Sequence, residues 1–354
     1  MPPDLWAQVM EAQAQADVGE VEAAAQSLLA WADGRSANEF EGVLDALRDA
    51  QAYAVSLEVL EAAWNSNLPL DRLGRVAQDW LGTVLHGIGD RAGAREVARH
   101  LARAAKTHGP AFAADLGHLM LEWQLRDEAS PLVELAAAAM PGDLSLQYDL
   151  GIVRKFQGRW AESRACFERV LRHQAGERAS VWNLGIACTA LHDWIGARQA
   201  WSLLGIELPP GDGDFAAEGD PSPVKLPVPP GSQLESEVVW GLRLGPARVR
   251  LRSIPRYANQ YAYQDVVLID GVSEGEAPYE GHDYPIFAAL DCWQRIPQQI
   301  YRLHSPDAQR LLGLIQAAGW AAVNWSMLPG EESGSIGISV LEGQDPAALE
   351  LLIE

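Results

Sequence analysis

The chain has 354 residues, of which 48% are hydrophobic and 21% are charged, and its formal net charge is −21. This composition is typical of a globular protein of two or three domains and excludes a disordered chain. Both parts of the chain are acidic, with −10 for residues 1–210 and −11 for residues 211–354. The overall field therefore disfavours nucleic acid and anionic membranes as partners, whereas a basic protein would be attracted. A role in solubility alone is the simpler alternative.

A repeat with a constant period runs through residues 1–210. Three pairs of residues lie one repeat apart: Gly151 and Gly185, Trp160 and Trp194, and Phe167 and Trp201. Upstream, Gly117 and Gly82 continue the series at nearly the same spacing. This period of about 34 residues, with a leucine-glycine start, a small residue and then an aromatic residue, resembles the tetratricopeptide repeat (TPR) family.

The resemblance implies that each repeat is a helix, a tight turn and a second helix, stacked on its neighbours as an α-solenoid. The clearest repeats are 75–108, 110–142, 144–177 and 178–210, with degenerate hairpins upstream. Glycine within a helix costs roughly 1 kcal/mol relative to alanine, so recurrent glycines indicate close helix packing. The predicted packing residues are Gly82, Gly117, Gly151, Gly185, Trp160, Phe167, Trp194 and Trp201.

In this family the first helices of successive repeats line a concave groove that receives a peptide or helix of a partner protein. Carrying the pattern over predicts a groove formed by Ala114, His118, Leu121, Tyr148, Ile152, Lys155, Trp182, Asn183, Ile186 and Thr189. TPR domains that hold a carboxylate terminus use Lys and Asn in this groove, and only Lys155 and Asn183 match them here. The mixed, rather apolar lining favours an amphipathic helix of a partner, or the protein's own C-terminal domain.

After residue 210 the pattern changes twice. Residues 211–232 are rich in proline, glycine and acidic residues, which predicts a linker. Residues 233–354 then show three strand-like runs, an irregular stretch, and the order β-α-β-β-α. We therefore predict an α-solenoid of TPR-like hairpins over 1–210, followed by a small α+β domain with a mainly antiparallel sheet. The segment VVWGLRLGPARVRLRSIP resembles regions that follow TPR arrays in bacterial proteins.

Arginines alternate with apolar residues early in the C-terminal domain. In a strand, Arg248, Arg250 and Arg252 project from one face, and Arg256 lies close by. Such a stripe could receive a carboxylate or phosphate of a partner. The alternative is that these guanidinium groups pair with acidic residues of the same chain.

Candidates for catalysis are few. His282 and Asp283 follow several glutamates in a glycine-containing stretch, but with no spacing typical of a metal site. Cys292 has only Arg295 nearby as a basic residue, so a thiolate nucleophile has little support. Neither a phosphate-binding loop, nor a nucleophile elbow, nor a dinucleotide fingerprint is present. We expect no enzyme activity, no cofactor and no metal.

Three cysteines without a CxxC pair, and no basic residue before Arg35, are typical of a cytoplasmic protein without a secretory signal. The favoured function is a non-enzymatic scaffold or adaptor whose TPR groove binds a protein or peptide. The alternative is an acidic inhibitor or immunity-type protein that caps a basic partner, and a lesser one is a small enzyme domain tethered to a TPR array. Salt should separate the first two, because only charge-steered association slows strongly as ionic strength rises.

Overall fold

The chain divides into two units, Met1–Val153 and Arg154–Glu354. A computed structural model describes residues 2–15, 17–32, 37–66, 68–232, 234–326, 328 and 330–353. None of the described helices combines the length and the apolar character that a bilayer span requires.

The first unit is built from helices. They are α1 (Pro3–Gln15), α2 (Val18–Ala32), α3 (Ala37–Asp49), α4 (Tyr53–Trp64), α5 (Leu70–Gly82), α6 (Arg91–Ala105), α7 (Pro110–Glu122), α8 (Arg126–Ala139) and α9 (Leu144–Phe156), the last of which continues into the second unit. A π-helical turn, Thr83–Ile88, extends α5. Apolar stripes on α1 to α8 share one core that includes Leu28, Leu60, Leu101 and Leu132, all fully buried.

Local sequence explains where these helices begin and end. Gly89 has a φ of 79° and stops the π-helical turn, after which the Asp90 carboxylate caps α6 by accepting from Gly93 N–H. Pro110 opens α7 after Gly109, whose φ is 95°. Turn and cap residues therefore end one helix and begin the next, so that the helices form pairs.

The second unit begins with three more helices, α10 (Trp160–His173), α11 (Arg178–Ala190) and α12 (Trp194–Leu203). The pairs α7–α8, α9–α10 and α11–α12 begin at Pro110, Leu144 and Arg178, at the constant spacing that the sequence repeat requires. The prediction of an N-terminal α-solenoid of TPR-like hairpins is confirmed.

Two of the recurrent glycines, Gly117 and Gly185, lie where the helices of a pair approach each other. A Cβ added at Gly185 would lie 2.7 Å from the ring of Trp201, and one at Gly117 would lie 2.9 Å from Val133. Packing at Gly82 is less tight, because an added Cβ would lie 3.4 Å from the ring of Trp123. The other predicted packing positions are Gly151, Phe167 and Trp201, which are buried, and Trp160 and Trp194, which are half-buried. Close backbone approach thus offsets the intrinsic cost of glycine at Gly117 and Gly185.

A closed five-stranded barrel follows the helices. Its strands are β1 (Pro221–Pro227), β2 (Ser236–Arg243), β3 (Arg248–Leu251), β4 (Val266–Tyr279) and β5 (His282–Gln294). Neighbouring strands are antiparallel, and a short parallel pairing of β1 with β5 closes the barrel. Its interior holds Val224, Leu226, Val239, Val249, Leu251, Val267 and Ile269.

Two of these strands differ from the sequence-based expectation. Strand β1 lies within the predicted linker, and β5 lies within the stretch predicted as irregular. The prolines of β1 (Pro221, Pro223 and Pro227) hide its strand character, yet Val224 and Leu226 between them are fully buried in the barrel. Strand β5 shows no clean alternation of buried and exposed residues, because register shifts interrupt its pairing with β4. Tertiary pairing creates both strands.

The chain ends in a smaller α+β layer. Strands β6 (Gln298–His304), β7 (Ala321–Asn324) and β8 (Ser335–Leu341) form an antiparallel sheet in the order β6-β8-β7. Helices α13 (Ala308–Ala317) and α14 (Pro346–Ile353) contribute Leu312, Ile315 and Leu349 to its core. The predicted α+β domain with a mainly antiparallel sheet is confirmed.

Candidate functional site

A groove of about 650 Å³ lies along the first helices of three successive hairpins in the first unit, α5, α7 and α9. It is lined by Leu70, Asp71, Gly74, Gln78, Phe112, Ala114, Asp115, Leu116, His118, Leu119, Glu122, Asp143, Ser145, Leu146 and Asp149. Leu70 and Leu119 are partly exposed, whereas Phe112 and Leu146 are buried beneath the surface. The groove thus offers apolar contact area between polar walls, as peptide-binding grooves do.

The charges along this groove have one sign. Its lining contains the carboxylates of Asp71, Asp115, Glu122, Asp143 and Asp149, and no lysine or arginine. Within the described part of the chain, the carboxylates of Asp71 and Asp115 form no hydrogen bond or ion pair, and both residues are exposed to solvent. Clustered carboxylates without a counter-charge create a negative potential inside a concave surface.

His118 lies between two of the acidic side chains. Its Nδ1 is 3.0 Å from Asp149 Oδ2, and its Nε2 is 3.5 Å from Glu122 Oε1. Asp149 is only 4% exposed. Burial raises the pKa of the Asp149 carboxyl, although the hydrogen bond and charge of His118 act in the opposite direction. Asp143 has a structural task, since its Oδ1 accepts from Leu146 N–H at the start of α9.

The sequence-based groove overlaps this one only in part. Ala114 and His118 line it, whereas Leu121 is half-buried against the core of the first unit. Tyr148 and Ile152 are half-buried and do not line it. The sequence-based groove did not include the acidic residues of the lining. Asp115 and Asp149 occupy equivalent positions of successive repeats, and this spacing is a signal that both lie on the same face of the array.

The other predicted groove residues lie in the second unit, where they are covered. Lys155 Nζ donates to Asn183 Oδ1 and to Asp270 Oδ1 of strand β4, both at 2.8 Å. Lys155 is 3% exposed, and Asn183 is buried beside it. Asp270 also accepts from the N–H of Gly271. The carboxylate that Lys155 holds therefore comes from the chain's own barrel, while Asn183 accepts a hydrogen bond from the same ammonium group.

Other contacts of α11 also bury its predicted groove residues. A Cβ added at Gly271 would lie 1.9 Å from Trp182 Nε1, so only glycine lets β4 approach the indole ring. Ile186 and Thr189 are fully buried, and Thr189 Oγ1 donates to the carbonyl of Gly185. Helix α11 thus presents its predicted groove face to β4 and to the interior of the unit rather than to solvent.

The arginine stripe is engaged within the chain. Arg248 is 1% exposed and donates two hydrogen bonds to Asp214, at 2.9 and 2.5 Å. Arg250 and Arg252 both donate to Glu218 Oε1 at 2.7 Å. Arg256 pairs with Glu331, which also forms an ion pair with Arg302 at 2.8 Å. The alternative of pairing with the protein's own acids therefore accounts for all four predicted arginines, and an anion of a partner would have to displace those carboxylates.

The candidates for chemistry are scattered. His282 and Asp283 are exposed at the turn of the β4–β5 hairpin, and the nearby Glu274 pairs with Lys225 at 2.8 Å. Across the described residues, no group of three or more His, Cys, Asp or Glu side chains is arranged to hold a metal ion. His304 contacts Glu332 at 3.9 Å, on exposed side chains. These residues form no common site.

The three cysteines are free thiols with raised pKa values. Burial raises the pKa of Cys292 to about 12, and the adjacent Asp265 carboxylate adds to the effect, since its Oδ2 lies 3.6 Å from the sulfur. Burial likewise raises the pKa of Cys188 to about 11 and that of Cys166 above its ordinary value. A free cysteine has a pKa of about 8.5, so the thiolate nucleophile is depleted here.

We expect iodoacetamide to alkylate Cys292 in the native protein more than about 100-fold more slowly at pH 8 than in urea, because the thiolate fraction is so small. Mass spectrometry of the Cys292 peptide against time measures both rates. Rapid labelling of this peptide in the native protein would restore the nucleophile hypothesis.

No protein-family model matches the chain, and no curated protein resembles it in sequence. Among solved structures, it is similar to MamA of MSR-1, with 19% identity over 47% of this chain and 92% of that one, and a TM-score of 0.35. It is also similar to MamA, residues 41 to the end, from Desulfovibrio magneticus RS-1, with 17% identity over 49% and 93% of the two chains and a TM-score of 0.35. These scores are too low for the likeness to indicate a function.

Proposed function

We propose that this protein is a non-enzymatic scaffold or adaptor, and that the groove along α5, α7 and α9 binds a segment of a partner protein. The observation that carries the proposal is the groove itself, which combines partly exposed leucines with carboxylates that lack a partner within the described part of the chain. A surface formed by the first helices of stacked hairpins is the usual binding surface of helical repeat proteins.

In the second unit, the surface of α11 that the sequence predicted as groove is covered by the chain itself, which supports this assignment. Strand β4 and the Asp270 carboxylate already occupy the face of α11 that the sequence predicted as groove. A repeat array needs its last hairpin covered, because each hairpin exposes an apolar face. We assign the barrel the role of this cover, with Phe215 and Ala247 packed in one cluster with Trp201 of α12.

An acidic inhibitor that caps a basic partner is the second candidate, and the one sign of charge in the groove favours it. An inhibitor and a scaffold would bind through the same surface with the same contacts. They would differ only in the effect of binding on the partner. A tethered enzyme has no support from Cys292, whose pKa of about 12 opposes thiolate chemistry. The free thiols of the described chain suit the cytoplasm, where we place the protein.

A substitution that fills the groove tests the proposal. Gly74 lines the groove within α5, and a Cβ at this position would have no neighbour nearer than Phe112 Cε2 at 4.0 Å. We expect Gly74→Phe to fold normally, since phenylalanine is a better helix former than glycine, and to lose at least about 10-fold in affinity for a protein captured by the wild type. Quantitative capture from lysate, followed by titration of the purified partner, measures the loss.

Gly313→Phe is the matched control. Gly313 lies within α13 of the second unit, where a Cβ would have no neighbour within 4 Å. Its partner set should equal that of the wild type. If Gly74→Phe keeps every partner at unchanged affinity, the groove is not the binding surface and the proposal fails.

A further inference from the structure

The charges inside the groove indicate which kind of partner segment it binds, which the fold alone does not. Three carboxylates, those of Asp71, Asp115 and Glu122, stand on α5 and α7 among partly exposed apolar side chains. We propose, building on the function proposed above, that the groove binds a basic amphipathic helix of a partner protein, with apolar side chains over Leu70 and Leu119 and Lys or Arg side chains against these carboxylates.

Two of the groove carboxylates are not compensated by a positive charge of the same chain. Several arginines elsewhere in the first unit are paired with acids: Arg75 lies 2.7 Å from Asp79 and 2.9 Å from Asp45. In contrast, the carboxylates of Asp71 and Asp115 have no hydrogen-bond or ion-pair partner among the described residues, and the groove lining includes no Lys or Arg. A guanidinium or ammonium group of a partner would therefore meet open acceptors and displace only water and counter-ions.

The groove presents apolar and acidic groups together, and this combination restricts the shape of the ligand. A single metal ion or a free amine would use the carboxylates but leave the leucines exposed, and an apolar helix would bury the carboxylates without a counter-charge. A helix with one apolar and one basic face satisfies both sets of groups at once, and helix-in-groove binding uses this arrangement of anchors.

His118 adds a second constraint. It lies 3.0 Å from Asp149 and 3.5 Å from Glu122, so its ring nitrogens already contact the carboxylates of the wall formed by α7 and α9. The uncompensated charge is consequently concentrated on Asp71 and Asp115, and the basic face of the partner should lie toward α5 and the first half of α7.

Three labelled peptides of about 18 residues, long enough for five helical turns, test the inference with the full-length protein. One has a leucine face and a lysine face, the second has glutamate in place of lysine, and the third has serine in place of leucine. Fluorescence anisotropy should show the leucine–lysine peptide binding at least about 10-fold tighter than either of the others, with an affinity that falls as salt rises.

A triple variant then assigns the charge effect to the groove. Asp71→Asn/Asp115→Asn/Glu122→Gln should weaken binding of the leucine–lysine peptide about 10-fold, because it removes three carboxylates that face the lysine side chains. The control Glu22→Gln/Glu61→Gln/Asp127→Asn changes the net charge equally at exposed sites of the same unit outside the groove. It should change the affinity less than about twofold.

The outcomes separate this inference from the proposed function. If Gly74→Phe abolishes peptide binding but the triple variant does not weaken it, the groove binds helices without selecting basic ones, and only this inference is overturned. Equal binding of the glutamate peptide would overturn it in the same way. If neither Gly74→Phe nor the triple variant affects binding, the peptides do not use the groove, and both proposals fail.

Discussion

Replacing Arg248 by alanine is expected to lower the free energy of unfolding of the second unit by about 3–5 kcal/mol, the loss typical of a large buried side chain removed from a packed site. The guanidinium carbon lies 4.9 Å, 5.2 Å and 4.7 Å from the ring centres of Trp194, Phe215 and Trp293. Two hydrogen bonds tie the same group to Asp214. Urea unfolding followed by tryptophan fluorescence measures the loss, because two of the indoles are in contact with Arg248.

Comparison variants separate packing from charge at this site. Arg248→Met keeps most of the side-chain volume and should cost less than half as much as alanine, since the half-exposed Asp214 can turn to water. Arg250→Ala removes a partly exposed arginine of the same strand and should cost less than about 1 kcal/mol. Equal losses for Arg248→Ala and Arg250→Ala would show that the three aromatic rings do not depend on the buried guanidinium.

The same pair predicts a pH dependence. Burial alone would raise the pKa of Asp214, but the hydrogen bonds and charge of Arg248 outweigh it, so that the pKa lies below its ordinary value. A carboxyl whose pKa is lowered by folding stabilises the native state above its unfolded pKa of about 3.9 and loses that contribution as the pH falls. The stability difference between wild type and Arg248→Met should therefore shrink below about pH 4.

Substitution of Gly185 is expected to destabilise the last hairpin. A Cβ at this position would lie 2.7–2.8 Å from three ring atoms of Trp201, whose side chain is fully buried. We expect Gly185→Ala to lower the free energy of unfolding by about 1–3 kcal/mol, and Gly185→Leu by at least as much. Thermal and urea unfolding followed by circular dichroism at helical wavelengths measure both.

Gly313 supplies a control in which the same substitution should raise, rather than lower, the free energy of unfolding. This glycine is exposed in the middle of α13, and a Cβ there would have no neighbour within 4 Å. Gly313→Ala should stabilise the protein by about 0.5–1 kcal/mol, through higher helix propensity and a less flexible unfolded chain. An unchanged melting temperature for Gly185→Leu would mean that α11 and α12 do not pack as closely as the contact with Trp201 requires.

The composition of the groove changes what a salt titration can decide. On sequence alone, weak salt dependence would indicate capture of an apolar helix, and strong dependence an acidic inhibitor. With five carboxylates in the groove lining, a scaffold that binds a basic helix is also salt-sensitive. Variants inside the groove, compared with equal charge changes outside it, are therefore the sharper test.

The sequence by itself determined the helical part of this protein. The constant period that places glycine at Gly117, Gly151 and Gly185 is a local signal, because each hairpin repeats the same contacts with its neighbour. Turn and cap residues such as Gly89 and Asp90 fix where helices end. The strands β2, β4 and β8 were also predictable, since hydrophobic, strand-forming runs mark them.

Only the tertiary structure decided which surfaces stay open. Strand β1 exists because burial of Val224 and Leu226 in the barrel overrides the prolines around them, and no local pattern reports such pairing. Lys155 and Asn183 have the residue types of a binding groove, yet Lys155 is paired with Asp270, which is remote from it in the sequence, and Asn183 is buried beside Lys155. Whether a polar side chain meets solvent or a distant carboxylate depends on contacts between remote segments. The helical period therefore specified the hairpins, while long-range packing specified the open, acidic groove.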